Sequence, residues 1–243
     1  MIIREQTDDI AILRLAHGKV NALDALATEL DEAAGKARAI ILTGNGSAFS
    51  AGVDLFRILE GGDEYLDRFL PSLDNTLRKL FGLPLPVVAA VNGHAIAGGC
   101  LLALACDYKV MSGGRIGIPE LSVGVPFPVA ALEIVRFAVS PSVLQKVVYT
   151  SPTLTHEEAL EAGLVDEIVP PEELESRAMS VARRLASIPK ATFRLTKGHL
   201  RSAASERISR MDDVIDPEVR RIWGDPASHE VIRAYLDRTL KKK

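Results

Sequence analysis

A chain of 243 residues, 47% hydrophobic and 25% charged, is long enough to bury a substantial core, and chains of this length often fold as one domain. Its formal net charge of −3 gives no reason to expect nucleic acid, which needs a concentrated basic surface, and the closing Lys241-Lys242-Lys243 reads as a solvated tail. The opening Met1-Ile2-Ile3-Arg4-Glu5 runs into polar residues without a signal-peptide core, and the longest apolar run, 95–106, is short for a membrane span; a cytoplasmic protein with no membrane partner is expected.

In chain order, residues 10–15 predict a strand and 24–36 an amphipathic helix behind the polar Asn21. Residues 39–43 form a β-branched apolar run closed by the turn Gly44-Asn45-Gly46-Ser47. From 54 to 80 the pattern is helical in pieces, broken at Gly61-Gly62 and Pro71. A strand at 86–91 ends on Asn92-Gly93, a buried helix follows at 97–105, and strands follow at 108–111 and 116–118. After about residue 128 helices dominate, at 129–139, 143–149, 156–162, 172–187 and 191–205, with 165–169 as a strand-like interruption. Ser140-Pro141, Thr155 and Pro170-Pro171 supply plausible helix starts, and Gly224-Asp225-Pro226 divides two helical pieces in the tail. Strands alternating with helices, then helices alone, predict an α/β core over 1–190 with a helical C-terminal region over 191–243.

Cys100 and Cys106 both lie in the apolar stretch and fit buried, reduced thiols better than a disulfide; no metal site is expected. Two glycine-containing turns follow strands and precede helices. The first is Ala48-Phe49-Ser50-Ala51-Gly52-Val53-Asp54-Leu55, the second Asn92-Gly93-His94-Ala95-Ile96-Ala97-Gly98-Gly99-Cys100. Either could serve only tight packing. Converging, their N–H groups could stabilise an oxyanion at helix starts. Gly44-Asn45-Gly46-Ser47-Ala48-Phe49 begins like a dinucleotide fingerprint but lacks the third glycine. Ala48-Phe49-Ser50-Ala51-Gly52 is a near miss to a nucleophile elbow, which would need His199 or His229, both expected on exposed helix faces. His94 reads as a core histidine or a pocket residue.

Together these segments resemble the crotonase (enoyl-CoA hydratase/isomerase) superfamily. The likeness runs through Gly18-Lys19-Val20-Asn21-Ala22-Leu23, the two glycine turns, Cys106-Asp107, and Glu158-Ala159-Leu160-Glu161-Ala162-Gly163-Leu164-Val165-Asp166. The resemblance implies a spiral of ββα units, with C-terminal helices that assemble a homotrimer or a dimer of trimers. It implies that the N–H groups of Val53 and Gly98 bind a thioester oxygen. Lys19, Val20, Ala51 and Leu55 would lie along the coenzyme A nucleotide and pantetheine, with Asp54 in the same substrate-binding segment. No cofactor is implied, because coenzyme A belongs to the substrate.

The resemblance also directs attention to the carboxylates. Hydratases of this kind carry two glutamates, but three residues after Gly98 this chain has Leu101. The other position holds Glu120, in Ile118-Pro119-Glu120-Leu121. One carboxylate beside an aliphatic Leu101 suits a 1,3-proton shift, as in single-glutamate Δ3,Δ2-enoyl-CoA isomerases, which the Tyr235-Leu236 helix also resembles. Where hydratases carry a glycine-rich turn, this chain has Val125-Pro126-Phe127-Pro128, and Phe127 either lines the acyl pocket or belongs to the core. Hydratase, thioester hydrolase, decarboxylase and non-catalytic acyl-CoA binder remain the alternatives. Glu133 becomes a second acid if it faces the pocket.

Overall fold

The computed structural model describes residues 2–16 and 26–240, the side chains of 211–216 and 240 excepted. Strands β1 (Ile2–Thr7) and β2 (Ile10–Leu15) form an antiparallel hairpin, and α1 (Leu26–Ala34) follows the undescribed segment. Three further units each contain two strands and a helix. They are β3 (Ala39–Gly44), β4 (Ala48–Ser50) and α2 (Leu55–Gly82); β5 (Val87–Val91), β6 (His94–Ile96) and α3 (Gly98–Ala105); and β7 (Tyr108–Met111), β8 (Arg115–Gly117) and α4 (Glu120–Val123). The first strand of each of these units joins one sheet and the second joins another. The sheets run β1-β2-β3-β5-β7-β10 and β4-β6-β8-β9, with β9 at Thr153–Thr155 and β10 at Glu167–Ile168. Pairings from β2 through β3, β5 and β7 to β10 are parallel.

β3 and β5 are buried at every residue, as parallel strands covered on both faces should be. One face packs against α8 (Leu174–Ala186) through Leu174, Ala178, Val181 and Ala182, and the other meets the larger core that includes α2 and α3. The predicted break in α2 is a kink at Gly62, where φ is 58°, while Pro71 is carried inside the continuing helix. α5 (Val129–Ala138), α6 (Pro141–Thr150) and α7 (His156–Glu161) match their expected positions. Thr155 closes a reciprocal cap at α7: its Oγ1 accepts from Glu158 N–H, and Glu158 accepts from Thr155 N–H at 2.8 Å.

The C-terminal region departs most from expectation. α9 runs from Lys190 to Trp223, past the expected end at 205 and through Pro217, and α10 covers Pro226–Leu240. A buried ion network holds α9 to the sheet. Asp107 accepts from Lys197 Nζ at 2.7 Å and Arg201 Nη2 at 2.8 Å, and from Val87 N–H at 2.8 Å. Burial pushes both cations' pKa values down, against the pull of Asp107. Among the described residues, no helix is long and apolar enough to cross a membrane, and no His/Cys/Asp/Glu cluster could hold a metal.

Candidate active site

The two glycine turns meet. Asn92, directly after β5, clamps the loop before β4: its Oδ1 accepts from Gly44 N–H at 2.9 Å and its Nδ2 donates to the Gly46 carbonyl at 2.9 Å. Gly99 lets α3 lie against β4, since a Cβ there would stand 2.1 Å from the Ser50 carbonyl oxygen. Gly52, at φ +84°, brings the two turns together, since a Cβ there would stand 2.7 Å from the Ile96 oxygen and 3.1 Å from the Gly98 nitrogen. Only glycine satisfies both the dihedral and the approach.

Ala97 turns the chain from β6 into α3 at φ 52°, ψ −122°, a conformation that strains a residue with a Cβ. Its N–H is tied to the Gly117 carbonyl at 2.8 Å. Gly98 therefore opens α3, where the first N–H groups have no intrahelical acceptor. Neither Val53 N–H nor Gly98 N–H donates to a backbone carbonyl among the described residues. Two donors at neighbouring turns, one of them at a helix start, can hold developing negative charge.

Both turns open on one cavity of ≈ 70 Å³, whose wall includes Val53, Gly98, Leu101 and Glu120. Glu120 is the first residue of α4 and only 6% exposed. Its Oε2 is buried without a hydrogen-bond partner among the described residues. Burial raises the carboxyl to about 8, partly offset by a hydrogen bond from backbone. Among the described lining residues Glu120 is the one carboxylate; the rest of the wall is nearly all apolar. A group with this pKa in this setting can take up and return a proton near neutral pH.

A sequence model of the enoyl-CoA hydratase/isomerase family matches residues 5–227. The chain belongs to that family. Its fold is correspondingly that of the crotonase superfamily: the human mitochondrial Δ3,Δ2-enoyl-CoA isomerase structure superposes with a TM-score of 0.93 at 25% identity, covering 100% of this chain and 99% of that one. Mouse enoyl-CoA delta isomerase 1 is 26% identical over 96% of this chain and 85% of its own length. A putative enoyl-CoA hydratase from Thermus thermophilus is 39% identical over 66% of this chain and 64% of that protein. Crotonyl-CoA hydratase from Syntrophomonas wolfei is 29% identical over 86% of this chain and 84% of that protein. Isomerases and hydratases thus both stand among the relatives of this enoyl-CoA hydratase/isomerase family member.

Within this family member, Ala51 and Leu55 line the cavity beside Val53, Gly98, Leu101 and Glu120. Lys19 and Val20 lie outside the described residues. Four expectations need correction. Phe127 is in the core rather than the cavity wall, which is formed there by its neighbours Val125 and Pro128. Asp54 does not line the cavity; it caps α2, its Oδ1 accepting from Phe56 N–H at 3.1 Å and Arg57 N–H at 3.3 Å. His94 is exposed rather than core, and its Nδ1 accepts from Arg115 N–H at 3.2 Å. His229 is half-buried, its ring bonded to the Trp223 carbonyl at 3.0 Å, whereas His199 is exposed as expected.

The two rival motifs also fall away. Gly44-Asn45-Gly46-Ser47 leads into β4 rather than a helix, so it cannot cradle a dinucleotide phosphate at a helix start. Ser50 is fully buried and its hydroxyl accepts from Gly52 N–H at 3.2 Å, unlike the exposed serine of an elbow. Cys100 and Cys106 are buried free thiols; burial and the neighbouring Asp107 push Cys106 up to about 12.

The sequence reading missed Leu73, Val123 and Trp223, which complete the wall. Tyr235, known beforehand only through a resemblance, lines it too. Glu133 lies elsewhere: it is 3% exposed, accepts from Arg207 Nε at 2.6 Å and pairs with Arg136 at 2.8 Å.

Proposed function

We propose that the protein is a Δ3,Δ2-enoyl-CoA isomerase that moves a double bond by a proton shift through Glu120. The observation that carries this reading is the cavity's single carboxylate among the described residues, buried and there unpartnered at Oε2, facing a wall in which Leu101 stands where a second acid would be needed for hydration. The names of the mammalian relatives support the same outcome.

Ionised Glu120 takes a proton from C2 of a 3-enoyl thioester. The C2–H electron pair becomes the C1–C2 double bond of a dienolate, and charge passes to the thioester oxygen. The N–H groups of Val53 and Gly98 stabilise that oxygen, in a setting where fixed donors are worth several kcal/mol. Protonated Glu120 then gives the proton to C4. The C3–C4 pair forms the new C4–H bond, the C1–C2 pair shifts to C2–C3, and a pair on the oxygen restores the thioester carbonyl, releasing the trans-2-enoyl thioester with the carboxylate restored. The apolar wall keeps water from the dienolate, so reprotonation at C4 competes with no hydration. In the described residues the segment holding Ala51 and Leu55 flanks the oxyanion donors, which suits it to the pantetheine arm.

The test compares isomerisation of a 3-enoyl-CoA with hydration of a trans-2-enoyl-CoA by the same preparation. Isomerisation in large excess is expected. Strong hydration without isomerisation would make the protein a hydratase, and tight binding of acyl-CoA with neither reaction would make it a binder.

A further inference from the structure

The cavity's wall is completed by a residue far along the chain from the glycine turns and Glu120. Trp223, the last residue of α9, is 3% exposed and supplies the bulkiest side chain of the lining. Three interactions hold it in place. Its indole N–H donates to the Pro126 carbonyl at 3.1 Å, its own carbonyl is bonded by the His229 ring at 3.0 Å, and its ring leans on Phe69 at 6.0 Å between centroids. The same turn of α9 is tied to α2 through Arg220, whose Nε reaches Asp67 at 2.6 Å and whose Nη2 reaches Asp63 at 2.9 Å. Swinging the indole aside would break its N–H bond to Pro126 and its packing on Phe69 of α2 together. It behaves as a fixed wall, not a gate.

The space this wall leaves is small. At ≈ 70 Å³ the cavity falls well below the few hundred cubic ångströms typical of pockets for drug-sized ligands. Resting on the acyl-CoA reading above, we propose that Trp223 determines specificity by ending the acyl cavity, restricting the protein to short-chain acyl thioesters. Longer chains bury more apolar surface and would ordinarily bind more tightly. A loss of affinity with length is therefore diagnostic of a stop.

The experiment titrates butyryl-, octanoyl- and dodecanoyl-CoA calorimetrically. These thioesters are saturated, so binding is read without turnover. The wild-type protein should bind dodecanoyl-CoA about tenfold or more weakly than butyryl-CoA. Trp223→Ala should recover about tenfold for dodecanoyl-CoA while holding butyryl-CoA within a few-fold. Trp223→Phe, which keeps the ring but loses the N–H bond, should retain the wild-type preference. If Trp223→Ala does not fold, as read by circular dichroism, Trp223→Leu takes its place with a partial recovery expected.

Equal wild-type affinity for all three lengths would overturn the proposal. So would a folded Trp223→Ala protein with unchanged preference. Failure to bind any of the three would instead remove the acyl-CoA reading on which it rests. Loss of isomerase turnover with the length preference intact would leave the stop standing and remove only the isomerase.

Discussion

Two glutamates, Glu120 and Glu133, are almost equally buried, at 6% and 3% exposed, yet their surroundings assign them opposite work. Glu133 is met by two guanidinium groups, Arg207 at 2.6 Å and Arg136 at 2.8 Å, which tie it to its own helix and to α9. Among the described residues Glu120 has no cationic partner of that kind; its Oε2 is there left unsatisfied and burial raises its carboxyl to about 8. The backbone differs as well: the strained Ala97 lies in the wall of the Glu120 cavity, whereas Glu133 sits within the regular helix α5. Burial alone does not mark a reactive carboxylate. Burial without a partner, beside strain, does.

The comparison would break at once if Glu120 proved dispensable. Glu120→Gln keeps the shape and removes the base, and should lower kcat for isomerisation by roughly 10²–10⁴-fold with little change in acyl-CoA affinity. Glu133→Gln should do the reverse. It leaves two arginines without their carboxylate and should cost about 1–2 kcal/mol in denaturant unfolding, discounted because both arginines are partly exposed, with turnover nearly unchanged.

A smaller effect separates the two sites by pH. Glu120 folds into a place where its pKa rises from 4.5 to about 8, so between those values the native protein holds a proton that the unfolded chain releases. This contribution to stability is fully present below 4.5 and is lost as pH rises through about 8. Glu120→Gln is free of that loss. Its melting temperature should gain on wild type as pH climbs through the window and run parallel above it. The smallest expected effect is at Ala97. Ala97→Gly relieves the positive φ and should stabilise the fold by about 1 kcal/mol, read as a higher denaturation midpoint.

Much of this architecture is legible in the amino-acid order because its central elements carry strong local signals. β3 and β5 are continuous apolar runs, and α3 is apolar on every side. β1 escaped notice for the opposite reason: from Ile3 to Thr7 it is exposed at every residue, so no alternation marks it. α9 continues beyond 205 and accommodates Pro217, where local propensity argues for an end. The reacting half of the site was readable, because Gly52, Gly98 and Glu120 sit in local motifs. The rest of the cavity wall was not. Leu73 and Trp223 reach the cavity only through the packing of α2 and α9, and neither carries a motif. Phe127 was drawn toward the pocket by its place in the chain, yet its neighbours Val125 and Pro128 are the residues that line it.

The central claim is that one unpartnered buried carboxylate performs the proton transfer, and the pH dependence of kcat/KM for 3-enoyl-CoA isomerisation tests it most directly. Since the base must be ionised, the wild-type rate should rise with pH along an acid limb centred near about 8, and Glu133→Gln should reproduce that limb. The residual activity of Glu120→Gln should show no such limb. A limb that persists in Glu120→Gln, or that disappears in Glu133→Gln, would contradict the account.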